Sequence, residues 1–295
     1  MTQEQDWLAE QFETHRAHLR AVAYRMLGSV SEADDAVQDA WLRLSRSDTS
    51  DVENMRAWLT TVVARLSLNM LRSRKTRREA PLDTHVPDPI VSGSDGIDPE
   101  HEVLIGDSVG LALQVVLDSL TPPERLAFVL HDVFAVPFDE IAPILGRSSA
   151  AARQLASRAR RRVQAAPVPD TNLDGQREVL EAFLAASREG DFGRLVSLLD
   201  PDVVVRTDGG AARPGLITLV RGAEAVAAQA IKFRRIAETS RPALVNGAAG
   251  YVAWDLNGAP FAVMGCVVRK GKIVSIDILA DPDRLAEIDL AEFDD

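Results

Sequence analysis

With 295 residues, 46% of them hydrophobic and 26% charged, the chain exceeds one ordinary small domain and has the make-up of a globular protein built from two or three. A single cysteine, Cys266, excludes an internal disulfide and a cysteine-based zinc site, and neither a metal nor a cofactor is expected. The formal net charge of -11 argues against nucleic acid only until its distribution is read.

Basic residues gather in two islands without acids: Arg65, Arg72, Arg74, Lys75, Arg77 and Arg78, then Arg147, Arg153, Arg158, Arg160, Arg161 and Arg162. Such a chain can hold DNA at both islands while its acidic faces repel it. The opening Met1-Thr2-Gln3-Glu4-Gln5-Asp6 lacks the basic-then-apolar pattern of an export signal. No apolar run reaches the roughly 18 residues that span a bilayer, so a cytoplasmic location without a membrane partner is expected.

In chain order, residues 3–79 read as helical. Trp7, Leu8, Phe12, Leu19, Val22, Ala23 and Met26 fall near helical spacing up to Gly28-Ser29. Ser31 is the expected N-cap of a second helix, with Asp34 completing a capping box. That helix carries Ala36, Val37, Ala40, Trp41 and Leu44 on one face and Asp35, Gln38, Asp39 and Arg43 on the other. A third helix runs from about Met55 to Arg78, with Trp58, Leu59, Val62, Val63, Leu66, Leu68 and Leu71 as its core side. Residues 80–101, broken by Pro81, Pro87, Pro89, Gly93, Gly96 and Pro99, read as a linker.

Helices resume over 102–164. Thr121-Pro122-Pro123-Glu124 is a helix start with a Thr cap, a Pro in the first turn and a Glu at the third position. Phe138 to Gly146 and then Ser148 to Val163 form a helix-turn-helix pattern, with Leu155 and Val163 as expected inward anchors. Pro143 sits awkwardly inside the first of these helices. Ser148, Ser149, Arg153, Gln154, Ser157, Arg158 and Arg161 are the candidate groove-facing residues, since Arg and Gln make bidentate base contacts and a helix N-terminus receives phosphate. Asn69, Arg72, Arg74 and Lys75 can touch DNA or simply complement a helix C-terminus. Trp58 can be core or can stack on an unpaired base.

A second linker, 165–172, precedes a module over 173–295. Asp174 to Arg188 and Leu195 to Leu199 read as helices. Val203–Arg206, Tyr251–Trp254, Phe261–Met264 and Ile273–Ile278 read as strands with hairpin turns at Asn257-Gly258 and Lys270-Gly271-Lys272. Helices followed by antiparallel strands suggest an α+β module.

The segments RAVAYRMLGSVSEADDAVQDAWLRL (20–44), AWLTTVVARLSLNMLRSRKTRRE (57–79) and LTPPERLAFVLHDVFAVPFDEIAPILGRSSAAARQLASRARRRV (120–163) resemble the two domains of an extracytoplasmic-function (ECF) RNA polymerase sigma factor. The tail resembles the SnoaL-like domain of one ECF subgroup, on the motifs Asp208-Gly209-Gly210 and Asp281-Pro282-Asp283-Arg284-Leu285. Ala211-Ala212-Arg213 and Ala280-Asp281 depart from that subgroup, and the first linker lacks its Trp-containing motif.

The resemblance implies a multidomain fold: an all-α sigma-2 bundle, a sigma-4 helix-turn-helix, and an NTF2-like cone with a curved antiparallel sheet. It implies a non-enzymatic initiation factor that binds core RNA polymerase at the β′ clamp helices and β flap, and promoter DNA both double-stranded and melted. Asp34, Asp35, Gln38 and Asp39 take the core-binding role. Met55, Arg56, Trp58, Asn69, Arg72, Arg74 and Lys75 take the -10 element, and the 148–163 helix takes the -35 element. The tail motifs would regulate in cis, with a small-molecule ligand as a further partner.

Two other readings stay open. One is a free-standing helix-turn-helix regulator, which leaves the first domain idle. The other is a cyclase-like enzyme using Asp208, Asp255 or Asp277, although all 5 histidines precede the tail.

Overall fold

The structure, a computed structural model, describes residues 3–49, 52–77, 84–93, 110–166, 170–290 and 293. The chain divides into a helical unit, residues 1–79 and 116–165, and an α+β unit, residues 80–115 and 166–295.

The helical unit opens with α1 (Gln3–Leu27), α2 (Val30–Leu44) and α3 (Met55–Arg77). Helix α1 buries Leu19, Val22, Ala23, Tyr24 and Met26, while Trp7 is half exposed and stands outside that stripe. Gly28, at φ 71, ends it. The cap of α2 is Ser29 and not Ser31: the Glu32 amide donates to Ser29 Oγ at 3.4 Å. Ser31 is two positions too late, being already the second residue of a helix that starts at Val30. Helix α3 begins where Asn54 Oδ1 accepts the Ala57 amide at 3.0 Å, and it buries Leu59, Val63, Leu66, Leu68 and Leu71.

Helix α4 (Gly110–Ser119) crosses the division between the units. In α5 (Pro122–Phe128) the capping box forms as expected: Glu124 accepts from both the Thr121 amide and the Thr121 hydroxyl, at 3.2 and 2.7 Å. Buried Arg125 pairs with Asp118 and donates to Met26 O at 2.7 Å, satisfying a C-terminal carbonyl of α1. One π-turn, Val129–Val133, continues α5. Then α6 (Phe138–Leu145) ends at left-handed Gly146, and α7 (Ser149–Ala165) follows. Pro143 lies on the exposed side of α6, so its ring points to solvent while Ile141, Ala142, Ile144 and Leu145 stay buried. The inner face of α7 is Ala152, Ala156 and Ala159, whereas the expected anchors Leu155 and Val163 are only half-buried. Alanines let this helix lie close on its neighbours.

The α+β unit contains α8 (Leu173–Glu189), α9 (Phe192–Leu198), α10 (Ala223–Lys232), α11 (Arg234–Glu238) and α12 (Pro282–Leu285). Its sheet comprises β1 (Val91–Ser92), β2 (Leu199–Asp208), β3 (Thr218–Arg221), β4 (Ser240–Val245), β5 (Ala248–Trp254), β6 (Pro260–Arg269) and β7 (Lys272–Leu279), in the order β1-β4-β5-β6-β7-β2-β3. Every neighbour is antiparallel except the parallel pair β2–β7. Register shifts interrupt β2, β5 and β6, and such bulges bend a sheet.

Alternation along the strands gives this sheet two different buried faces. One, with Val205, Tyr251, Cys266 and Ile276, packs against α8 and α10. The other, with Val245, Val252, Val263 and Leu279, packs against Val86 and Val91 of the first linker and Leu111 of α4. At Gly265 a Cβ would lie 2.9 Å from Leu111 Cδ2, so the missing side chain is what lets α4 lie flat there. Part of the predicted linker is therefore bound structure: β1 is the edge strand of the sheet.

Candidate nucleic-acid interface and linker clasp

On α2, spacing of three and four residues puts Asp34, Asp35, Gln38 and Asp39 on one exposed stripe. Asp34 is already engaged, accepting Arg20 Nε at 2.6 Å, which leaves Asp35, Gln38 and Asp39 as the outward acidic and polar surface beside exposed Leu42. Trp41 turns inward, 5.2 Å from the Phe12 ring.

On α3 the sequence-predicted set separates. Arg56, Asn69 and Arg72 are exposed and Trp58 is half-buried. Met55 is buried, its side chain part of the core. Arg74 pairs with Glu32, with Nε 2.9 Å from Oε1, and donates to Leu27 O at 2.9 Å. Its guanidinium fastens α3 to the start of α2 and the end of α1. Lys75 is on the last turn of α3, with its side chain outside the described residues. A cleft of ≈ 450 Å³, lined by Asn69, Met70, Ser73 and Arg43, opens beside α3.

Helix α7 carries the most regular exposed stripe. Arg153, Gln154, Ser157, Arg158 and Arg161 are all exposed and follow i, i+1, i+4, i+5, i+8, a single helical stripe. The alanine face is opposite. Ser148 and Ser149 play another part from the one predicted. Ser148 Oγ accepts the Ala151 amide at 3.3 Å as an N-cap, and Ser149 donates to Asp139 at 2.6 Å, so both hydroxyls secure the turn. Ion pairs from Arg160 to Asp132 and Arg162 to Glu124 hold the flank. Arg153 lies 5.5 Å over the Phe138 ring, which itself stacks on His131.

The two tail motifs meet in space. Asp208 Oδ2 lies 3.0 Å from His85 Nδ1, accepts the Val86 amide at 3.1 Å, and accepts Arg284 Nη1 at 2.9 Å. Arg284 also donates to Asp88 Oδ1 at 2.6 Å and to Val86 O at 2.6 Å. Burial alone would raise the Asp208 carboxyl. The hydrogen bonds from His85 and Val86 and the Arg284 charge outweigh it and hold the group well below the usual carboxylate range.

The remaining motif residues build this clasp. Gly210, at φ 60, has no room for a Cβ, which would fall 1.9 Å from Asp281 Oδ2; Gly209 is closed off by Arg213 O at 2.3 Å. Asp281 caps α12 by accepting the Asp283 amide, Pro282 takes its first position, and Leu285 is buried. Arg213 stacks over Phe261 and donates to Phe261 O and Ala280 O. Asp208 and Arg284 belong to the two sequence motifs, whereas their partners His85, Val86 and Asp88 lie in a segment that the sequence marks only by Pro87 and Pro89.

The other two tail carboxylates lie apart from any common site. Asp255 accepts the Asn257 and Ala259 amides of an exposed turn. Asp277 is buried and paired with Arg206; burial pushes its carboxyl up, against the opposing guanidinium.

A helical unit with a groove-sized basic stripe, joined to an α+β unit that grips the linker, is the architecture of a sigma-type transcription factor carrying an additional tail. Family comparison agrees. Residues 11–77 match sigma-70 region 2 and residues 110–163 match sigma-70 region 4. The chain is 42% identical to the ECF RNA polymerase sigma factor SigJ of Mycobacterium tuberculosis, with 96% of this chain and 94% of that protein covered. It is 35% identical to the probable ECF sigma factor SigI of the same organism, with 95% of each covered. The crystal structure of SigJ superposes with a TM-score of 0.78 at 38% identity, over 96% of this chain and 99% of that one. The chain belongs to the ECF RNA polymerase sigma factor family. No helix among the described residues is long and apolar enough to cross a membrane.

Proposed function

We propose that this sigma factor engages core polymerase through the exposed α2 stripe, Asp35, Gln38 and Asp39, which suits a basic helix pair such as the β′ clamp helices, with the β flap as a second contact. Helix α3 then holds the melted -10 strand with Arg56, Trp58, Asn69 and Arg72. The cleft beside Asn69 is of a size to take an unstacked base, and such capture stabilises the open strand without catalysis. Helix α7 reads the -35 duplex with Arg153, Gln154, Ser157, Arg158 and Arg161.

The tail acts in cis by holding the segment 84–93 between the two sigma regions, which sets how freely that linker can follow the polymerase surface. The observation that carries the reading is the exposed α7 stripe set against its all-alanine inner face. The test is promoter-duplex binding by the holoenzyme. Arg153→Ala or Gln154→Ala should weaken it by about 1–3 kcal/mol. Arg160→Ala, on a residue tied to Asp132, should have little effect. Equal losses at all three positions would refute the assigned face.

A further inference from the structure

The face of the tail sheet turned away from the linker covers a cavity of ≈ 460 Å³, closed on its other side by α8, α10 and α11. Strand register explains its wall. Thr218 of β3, Thr207 of β2, Ile278 of β7 and Met264 of β6 are successive partners in one row, with Val220, Val205 and Ile276 in the next. All of these side chains line the cavity. Among the described residues the lining includes neither a carboxylate nor a histidine, and its one cation, Lys232, is an exposed residue at the rim.

Three hydroxyls and the Gln229 amide break this apolar surface; the Ser187 hydroxyl is already spent, donating to Ala230 O at 3.2 Å. Thr207 is 6% exposed, and its Oγ1 and that of its cross-strand partner Thr218 are buried without a hydrogen-bond partner among the described residues. A buried hydroxyl left unpaired keeps its full desolvation cost, whereas valine would fill the same shape without one. Threonines paired across two strands can bond to each other; here neither hydroxyl does, although both residues line the cavity. The cavity volume falls within the range of small-molecule pockets, which are mostly apolar with a few placed polar groups.

We propose that the tail cavity binds a neutral, largely apolar small molecule whose carbonyl or hydroxyl group is received by Thr207 and Thr218. Neutrality follows from the wall, since an ion placed against these threonines would be desolvated with no countercharge beside it. The site is separate from the clasp, yet it adjoins it: Thr207 faces the cavity, and the next residue, Asp208, faces the linker.

The test uses full-length protein and displacement of the neutral fluorescent dye N-phenyl-1-naphthylamine by three matched bicyclic probes: α-tetralone, tetralin, and 1,2,3,4-tetrahydro-1-naphthoate. The dye should bind, and the ketone should displace it about tenfold better than either the hydrocarbon or the carboxylate. The double variant Thr207→Val, Thr218→Val should remove that advantage, leave dye binding intact, and melt no lower than the parent chain. Ala230→Phe, which places a ring into the cavity, should lower dye affinity in a protein that still unfolds cooperatively. No dye uptake, equal displacement by ketone and hydrocarbon, preference for the carboxylate, or ketone binding indifferent to the threonine changes would each overturn the proposal.

Discussion

Replacing Asp208 by asparagine keeps the shape of the clasp and removes its charge. The carboxylate receives His85, the Val86 amide, Arg284 and the Gly210 amide, and its side chain is 11% exposed, so solvent screens it little. A hydrogen bond to a charged group contributes about 1.5–3 kcal/mol, and breaking a buried ion pair costs about 3–5 kcal/mol. Arg284 retains Asp88, which puts the loss at the lower end, about 3 kcal/mol. At 1.4 kcal/mol per decade, the linker should open about 100-fold more often.

Hydrogen exchange read by mass spectrometry on peptides spanning 84–93 measures this directly. The Val86 and Ile90 amides, bonded to Asp208 and Asn246, should lose protection while α7 peptides do not change. Asp255→Asn, in an exposed turn, is the control. Linker exchange unaltered by Asp208→Asn would refute the clasp.

Acid should act on the same group. Because its folded pKa lies below the unfolded value, its contribution is present above about pH 4 and is lost as pH falls further. The asparagine variant should lack that component in pH-dependent melting. His18 acts in the same direction over a higher pH window. Burial, with Arg56 and His15 adding to it, lowers His18 from 6.5 to about 4. Between those values the unfolded state binds more protons, so stability should decline as pH drops from 7 toward 4, and His18→Phe should flatten that decline in calorimetry. Gly210→Ala should drive its new methyl into Asp281 and loosen the clasp, seen as faster linker exchange with α12 intact. Asp35→Ala and Asp39→Ala should weaken core-polymerase binding in anisotropy titrations about additively, while Asp34→Ala, already paired with Arg20, should matter less.

Local signals made the helical unit legible. Periodic apolar residues, the Thr121 capping box and the helix-turn-helix spacing all lie within a few residues of what they determine. The errors there were also local: Ser29 outcompeted Ser31 by starting the helix earlier, and Ala152, Ala156 and Ala159 took the inner face of α7 that larger residues were expected to hold. Side-chain chemistry alone could not show that Met55 is core or that Arg74 is spent on Glu32 and Leu27.

In the tail the long strands were visible, but β3 and β4 were not. β3 has four residues without a strong alternation, and β4 contains Pro242. The clasp was the least accessible feature. Arg284 and Asp88 are separated by 196 positions, and β1 is only two residues long, so nothing local marked residues 84–93 as part of a sheet.

Run-off transcription with core RNA polymerase and the full-length protein on promoter-containing fragments tests the central claim most directly. The account predicts discrete, core-dependent transcripts that vanish with Arg153→Ala plus Arg158→Ala and change in yield with Arg284→Ala, which frees the linker. Initiation that persists without the α7 arginines, or that is absent for both the full-length chain and one ending after Pro169, would contradict it.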